Sequence, residues 1–304
     1  MPREHYEIHD QRFNQLIHKN ANVDLLWEGG RWCEGPAYLP AGKYLIWSDI
    51  PNDRTMRWDE CNGSVSVFEA QCRNQNGHTV DLEGRLVSCE HLGRRVSRID
   101  HDGKTTVLAD RFEGKRFNSP NDVVVKSDGS IWFTDPSYGI DSEYEGDQAP
   151  TEIGARNVYR IDPSGEVTCI VTDMVQPNGL AFSPDESLLY IADTGVTHEP
   201  DCIPQIRSYP MQADGKSVGA GRDFIESKCG LFDGFRVDTQ GNIWTSAYDG
   251  VHCYSGEGDL LGKILIDEVV ANVTFGGIKR NRLFICATTT IRSIYVNAIG
   301  CVPG

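Results

Sequence analysis

Polar residues at the starts of four short, strand-like segments carry the clearest chemistry in the sequence. Each segment opens with an oxygen-bearing side chain, and these are Glu34, Asn121, Asn178 and Asp233. In two further segments the corresponding residue is His78 or Asn76, and Thr274. Two carboxylates and two amides would form an all-oxygen set, which hard cations such as Ca²⁺ prefer. None of the four is Cys or His, which argues against a dedicated zinc site.

Six segments of the chain share one pattern, namely a polar start, an apolar strand, a polar turn and a second strand rich in aromatic and β-branched residues. They span residues 34–50, 77–91, 120–136, 177–194, 232–250 and 274–289. Four of the turns contain a glycine that we expect to adopt the positive φ of a tight hairpin, and these are Gly42, Gly84, Gly129 and Gly241.

Additional strand pairs lie between these segments, such as 95–100 with 105–110 and 157–162 with 167–173. Repeats of about 40–50 residues with four strands each are typical of propeller blades. The sequence therefore predicts an all-β fold, a six-bladed β-propeller with four-stranded antiparallel blades around a central metal-containing channel. We expect residues 1–20 to form an arm or a short helix and residues 21–304 to form one propeller domain, in which 23–29 and 291–299 share the last blade.

The predicted fold changes how the polar residues are interpreted. Asn or Asp before Gly most often forms a turn, and this is the simpler interpretation of Asn178-Gly179 or Asp233-Gly234 alone. However, the first strand of every blade lines the channel, so equivalent positions of different repeats converge on its axis. Because the oxygen-bearing residues fall at the same point of four repeats, we predict a metal site there.

Composition restricts the partners and the location. The net charge of −15 argues against nucleic acid and membrane as partners, because phosphate groups would be repelled. No apolar run is long enough for a membrane span, and the charged start MPREHYEIHDQRF lacks the apolar region of a secretory signal, so we expect a cytoplasmic protein. The ten cysteines form no C-x-x-C pair, and we expect most to be reduced, with a bridge between Cys202 and Cys229 left open.

Four motifs resemble those of the SMP-30/gluconolactonase/luciferin-regenerating-enzyme-like family. They are Glu34-Gly35-Pro36, Ser119-Pro120-Asn121-Asp122, Pro177-Asn178-Gly179-Leu180 and Phe232-Asp233-Gly234, and the resemblance spans residues 25–290. The resemblance implies a six-bladed propeller that opens a sugar (aldono-) lactone, such as gluconolactone, to the aldonic acid. It also implies that Glu34, Asn121, Asn178 and Asp233 hold one divalent metal, and that Asp233 is the catalytic carboxylate. Ca²⁺ is the expected ion, with Zn²⁺, Mg²⁺ and Mn²⁺ as alternatives.

A metal with open coordination positions could polarise the lactone carbonyl while Asp233 accepts a proton from the attacking water. Direct attack by the Asp233 carboxylate is the alternative that stays open. A polyhydroxylated substrate needs several hydrogen-bonding partners around the channel mouth. The candidates for this role are Asn76, His78, Glu90, Arg116, Asn118, Asp135 and Tyr138.

Two other functions are compatible with the same residues. The first is a broader lactonase or a phosphotriesterase of the diisopropyl fluorophosphatase type, and the second is a non-catalytic propeller that Ca²⁺ stabilises. Arg, Asn, Glu and His among the candidate substrate residues favour a sugar, because organophosphate pockets are usually more apolar. We therefore expect a small-molecule sugar lactone as the partner, and a monomer or a homodimer as the assembly.

Overall fold

The computed structural model describes residues 4–302, which form six antiparallel sheets that are the blades of a propeller. Ahead of blade 1 lie β1 (Tyr6–Ile8), α1 (Phe13–Leu16) and β2 (Asp24–Glu28). Blade 1 contains β3 (Cys33–Leu39), β4 (Tyr44–Asp49), β5 (Arg54–Asp59) and β6 (Val65–Ala70), with a 3₁₀ helix at Ile50–Asn52. Blade 2 contains β7 (Gln75–Val80), β8 (Leu86–Glu90), β9 (Arg95–Ile99) and β10 (Thr105–Ala109).

Blades 3 and 4 follow a small hairpin made of β11 (Arg111–Phe112) and β12 (Lys115–Arg116). Blade 3 contains β13 (Val123–Val125), β14 (Ile131–Asp135), β15 (Asn157–Ile161) and β16 (Val167–Val171), and α2 (Tyr138–Asp141) lies between β14 and β15. Blade 4 contains β17 (Pro177–Phe182), β18 (Leu188–Asp193), β19 (Gln205–Pro210) and β20 (Arg222–Glu226), with a 3₁₀ helix at Gly195–Thr197.

Blades 5 and 6 complete the ring. Blade 5 contains β21 (Phe235–Val237), β22 (Ile243–Ala247), β23 (Gly250–Tyr254) and β24 (Leu260–Leu265). Blade 6 contains β25 (Val270–Gly276), β26 (Arg282–Ala287) and β27 (Thr290–Tyr295), and its fourth strand is β2 from the start of the chain. The predicted six-bladed fold is therefore confirmed, and so is the shared last blade, because β2 pairs antiparallel with β27.

The hairpin turns follow the prediction at three of four glycines. Gly84, Gly129 and Gly241 have φ values of +80°, +83° and +84°. A Cβ would be sterically unfavourable at these φ values, and glycine has none. In blade 1 the left-handed residue is Lys43, with φ +53°, and not Gly42. A Cβ on Gly42 would instead lie 2.2 Å from the Tyr44 ring, so this glycine makes room for an aromatic side chain.

Hydrophobic side chains fill the six interfaces between neighbouring blades, and each interface has its own cluster. The interface between blades 3 and 4, for example, contains Trp132, Leu180 and Tyr209. Both faces of a blade are therefore packed, which explains why the inner strands are buried along nearly their whole length. The apolar core lies between the blades and leaves the channel itself to polar residues.

The first residues of the chain are part of this packing. β1 pairs antiparallel with β24 and adds a fifth strand to blade 5. Phe13 of α1 is fully buried, and its ring lies 6.1 Å from that of Trp244. Within residues 4–302, no helix has the length and apolar composition needed to cross a membrane. All ten cysteines are free, so Cys202 and Cys229 are not bridged.

We predict that Phe13→Ala lowers the free energy of unfolding by about 3–5 kcal/mol, because it leaves a cavity between blades 5 and 6. Denaturation with urea, followed by tryptophan fluorescence, measures this loss. Phe68→Ala is the matched control, since Phe68 on the outer strand β6 is 36% exposed. Equal losses in the two variants would show that the amino-terminal segment does not stabilise the ring.

Candidate functional site

Equivalent residues of the first strands converge at one end of the channel. Five of the six blades contribute a polar side chain at this position, and the five are Glu34, Asn76, Asn121, Asn178 and Asp233. All five line one cavity of about 150 Å³. In the sixth blade the equivalent residue is Ala271, whose backbone O accepts a hydrogen bond from the amide of Gly234 at 2.8 Å. The cavity is smaller than the pockets of roughly 300–1,000 Å³ that hold drug-sized ligands.

The residue after each of these polar residues explains why they face the axis. In four blades it is a glycine at which a Cβ would lie 1.9–2.5 Å from an atom of the next blade, and these are Gly35, Gly77, Gly179 and Gly234. The amide of Gly77 donates a hydrogen bond to Asn121 O at 2.7 Å, and that of Gly179 donates to Asp233 O at 3.0 Å. The glycines are thus points of contact between blades, and the side chains before them are directed into the channel.

Two blades carry a polar residue where the others have glycine. Asn272 of blade 6 donates a hydrogen bond through Nδ2 to Glu34 Oε2 at 2.9 Å, which ties the last blade to the first. Asp122 of blade 3 forms a buried ion pair with Arg236 of blade 5 at 3.4 Å. Glu34 lines the cavity, whereas Asn272, Asp122 and Arg236 are not among the residues that line it.

Glu34 and Asp233 are held in an environment that disfavours negative charge. Burial is the main cause that raises the pKa of Glu34 well above its usual range, and the Asp233 carboxylate adds to it. Burial also raises the pKa of Asp233, followed by repulsion from Glu145 and Asp122. No Lys or Arg side chain of residues 4–302 lines the cavity. The two carboxylates therefore lack a compensating positive charge among the described residues around them.

The rest of the wall is mainly polar. Its remaining members are Trp32, Tyr138, Glu145, Thr194, Thr197 and Leu231. The hydroxyl of Tyr138 lies 2.6 Å from Thr194 Oγ1 and 2.9 Å from Thr197 Oγ1, and burial raises its pKa, so it keeps its proton. Burial and the neighbouring Asp141 raise the pKa of Glu145 to about 7.

Of the seven residues predicted to bind substrate, Asn76 and Tyr138 line this cavity. His78 does not, because its ring is fixed between Ser48 Oγ at 2.8 Å and Ser88 Oγ at 2.7 Å, and it borders a separate cavity at the other end of the first strands. Burial lowers the pKa of His78 to about 3. Thr274 lies beside that separate cavity as well. Asn76 is therefore the blade 2 residue at the site, and Thr274 is not part of it.

Glu90 and Asp135 do not line the cavity. Their carboxylate oxygens instead accept hydrogen bonds from a neighbouring strand and from the backbone. Glu90 accepts hydrogen bonds from Arg95 at 2.7 Å and from Ser97 at 2.6 Å. Asp135 accepts the backbone amides of Asn118 and Ser119 at 2.9 and 2.8 Å.

Asn118 and Arg116 also lie away from the cavity. The amide group of Asn118 is fully used, since it donates to Asp135 O and Ala155 O and accepts from Thr151 Oγ1. Arg116 is exposed on β12, where its guanidinium contacts Gly93 O. Neither residue is among those that line the cavity.

The five polar residues fit a hard cation better than a soft one. They present carboxylate and amide oxygens, and Oδ1 of Asn76 is buried without a hydrogen-bond partner. Within residues 4–302, no three His, Cys, Asp or Glu side chains are grouped as metal ligands. A metal here would therefore depend on the asparagines, and amide oxygens suit Ca²⁺ or Mg²⁺ rather than Zn²⁺.

Three residues that matter for the site were not identified from the sequence, namely Glu145, Asp122 and Asn272. Glu145 lies in an irregular loop after α2, where no repeat position marks it. Asp122 and Asn272 stand where the other blades have glycine, and that departure from the repeat was a signal that could have identified both.

A six-bladed propeller with oxygen donors gathered at one end of its channel is the class of protein that the fold and the site define. Residues 32–289 match the model of the SMP-30/gluconolactonase/LRE-like region. The chain therefore belongs to this family, as its four motifs predict.

Individual relatives agree with this assignment. The chain is 28% identical to a gluconolactonase from Zymomonas mobilis, over 95% of this chain and 85% of that protein. It is 28% identical to a pentonolactonase from Haloferax volcanii, over 83% of this chain and 80% of that protein. A solved structure of a gluconolactonase from Xanthomonas campestris superposes with a TM-score of 0.89 at 35% identity, covering 96% of this chain and 94% of that one.

We predict that Gly179→Ala destabilises the protein by about 1–3 kcal/mol, because the new Cβ would lie 2.2 Å from Asp233 O and force blades 4 and 5 apart. Gly256→Ala is the control, since its Cβ would meet its nearest neighbour at 3.3 Å and φ there is not positive. Thermal unfolding of both variants, followed by circular dichroism, measures the difference. Similar unfolding temperatures would contradict the role of Gly179 in blade contact.

Proposed function

We propose that this protein hydrolyses a sugar lactone, an aldonolactone such as gluconolactone, to the open-chain aldonic acid. The observation that carries the proposal is the convergence of Glu34, Asn121, Asn178 and Asp233 on one small cavity. Relatives that cover most of the chain support it, since they include a gluconolactonase and a pentonolactonase. The polar wall favours a hydroxylated ligand over an apolar organophosphate.

We further propose that Glu34, Asn121, Asn178 and Asp233 hold one divalent cation, with Ca²⁺ as the first choice. Such a cation, when bound, polarises an ester carbonyl and lowers the pKa of water. The donor types support this proposal, as does the absence of Lys and Arg from the part of the cavity wall that the described residues form. A cation would supply the positive charge that the two buried carboxylates lack.

The side chains of the cavity can take distinct roles. Asp233 is the proposed general base, because its carboxylate can accept the proton of the water that attacks the lactone carbonyl. Asn272 holds Glu34 in place through the bond to Oε2. Tyr138 retains its proton and can donate a hydrogen bond to a substrate oxygen, while Oδ1 of Asn76 is free to accept one.

We predict that Asp233→Asn lowers kcat for gluconolactone by about 10²–10⁴-fold, because an amide cannot accept the proton from water. A pH-stat assay, corrected for spontaneous hydrolysis, measures this loss. Asp223→Asn removes the same charge from a side chain that is 74% exposed, and we expect it to retain full activity.

Circular dichroism shows whether each variant is folded, so that a change in activity can be assigned to the substituted side chain. A folded Asp233→Asn variant that still turns over at the wild-type rate would contradict the proposed base. A folded wild-type protein that binds gluconolactone but hydrolyses no lactone would instead support a non-catalytic binding propeller.

We predict that divalent cations bind more tightly at about pH 8 than at about pH 6. Since the pKa values of Glu34 and Asp233 are raised in the cation-free protein, protons compete with the cation as the pH falls, and binding releases them. Isothermal titration of the chelator-treated protein with Ca²⁺, in two buffers of different ionisation enthalpy, measures both effects. An affinity that does not change with pH would contradict binding through these carboxylates.

A further inference from the structure

Glu145 is the third carboxylate of the cavity, and the roles given above do not use it. It lies in the loop after α2, and its side chain is 21% exposed where it lines the cavity together with Asp233 and Tyr138. Among the ion-pair partners within 4 Å in residues 4–302, it has only His91, at 3.8 Å. Burial lowers the pKa of His91 to about 4, so this ring is neutral. Above the Glu145 pKa of about 7, the neutral ring leaves the negative charge of Glu145 uncompensated.

The loop that carries Glu145 is fixed in place from two sides. His91 Nδ1 donates to the backbone O of Glu145 at 3.3 Å, and with Nδ1 protonated, His91 Nε2 accepts from Asn76 Nδ2 at 3.2 Å. This arrangement turns the unpartnered Oδ1 of Asn76 away from His91. Close packing also holds the loop in place, because a Cβ on Gly146 would lie 2.1 Å from Gly139 O. Glu145 therefore presents its carboxylate on a loop that rests against blades 2 and 3.

The charges of the cavity favour one class of substrate. Three of its wall residues are acidic, namely Glu34, Glu145 and Asp233, and no Lys or Arg of residues 4–302 lines it. One divalent cation held by the channel carboxylates would balance Glu34 and Asp233 and would leave the charge of Glu145. A hydroxyl group can donate a hydrogen bond to such a carboxylate, whereas a carboxylate, phosphate or sulfate group on the substrate would be repelled.

We propose that Glu145 is a specificity-determining residue, which accepts a hydrogen bond from a hydroxyl group of a neutral aldonolactone and rejects lactones that carry an anionic group. This inference rests on the proposed lactonase function.

A matched pair of substrates tests the proposal, namely the five-membered lactones of gluconic acid and of glucaric acid. They differ in a terminal group, which is a hydroxymethyl in the first and a carboxylate in the second. At about pH 8, above the Glu145 pKa of about 7, we expect the wild-type protein to prefer the neutral lactone by at least about tenfold in kcat/KM. We expect Glu145→Gln to reduce that preference by about tenfold or more, through a higher KM for the neutral lactone and a lower KM for the anionic one.

Two control variants show whether the effect belongs to the carboxylate at this position. Glu143→Gln removes the same charge from an exposed position of the same loop, and we expect it to keep the wild-type preference. Glu145→Asp keeps the charge, so we expect it to retain most of the preference. If Glu145→Gln does not fold, Glu145→Ala serves as the test, with the same loss of preference expected.

The outcomes separate this inference from the function on which it rests. An active Glu145→Gln variant with the wild-type preference would overturn the role of Glu145, and so would a wild-type protein that hydrolyses both lactones equally. A wild-type protein that hydrolyses neither lactone, nor any other aldonolactone, would overturn the proposed function itself.

Discussion

The blades of this propeller meet at the channel through backbone contacts that leave no room for a Cβ. The amide of Gly179 bonds to Asp233 O, and that of Gly234 bonds to Ala271 O at 2.8 Å. Any larger residue at these points would push neighbouring blades apart. The side chains that precede the glycines then have the channel as the space open to them, and this constraint brings Glu34, Asn76, Asn178 and Asp233 to the candidate site.

The same contacts between blades bury two carboxylates, Glu34 and Asp233, without a positively charged side chain beside them in the cavity wall that residues 4–302 form. Burial raises the pKa values of both Glu34 and Asp233. Repulsion from Asp233 adds to the effect at Glu34, and repulsion from Glu145 and Asp122 adds to it at Asp233. Charged groups are rarely kept in such surroundings unless a partner stabilises them. Asn272 gives Glu34 one hydrogen bond, but an amide cannot neutralise a carboxylate. The cation that we propose would supply the missing positive charge, and the family to which the chain belongs supports the proposed chemistry of the site.

Sequence patterns predicted the ring and most of the residues around its axis, because both depend on a repeat that can be read along the chain. Glu34, Asn121, Asn178 and Asp233 were identified by their shared position in that repeat. The strands carry irregularities near the channel, such as the register shift in β7 between Gln75 and His78. Such shifts change which side chain faces the axis, so the repeat alone did not decide between His78 and Asn76.

The residues that could contact substrate were less predictable than the polar residues at the starts of the first strands. Asp135 and Glu90 are polar and lie near the ends of second strands, yet their oxygens are used by backbone amides and by Arg95. Glu145 comes from a loop without a repeat position, and only the folded chain brings it next to Asp233. Residues that depend on loop conformation leave no periodic signal, and these are the residues that we propose decide between substrates.

The hydrolysis of gluconolactone by chelator-treated protein, before and after the addition of one equivalent of a divalent cation, tests the central claim most directly. The account predicts a rate near the spontaneous one for the cation-free protein, and recovery of activity when Ca²⁺, Mg²⁺, Mn²⁺ or Zn²⁺ is added, with Ca²⁺ as the expected preference. Full activity of the folded protein after complete removal of cations would contradict it, and so would the absence of activity towards every aldonolactone with every one of these ions.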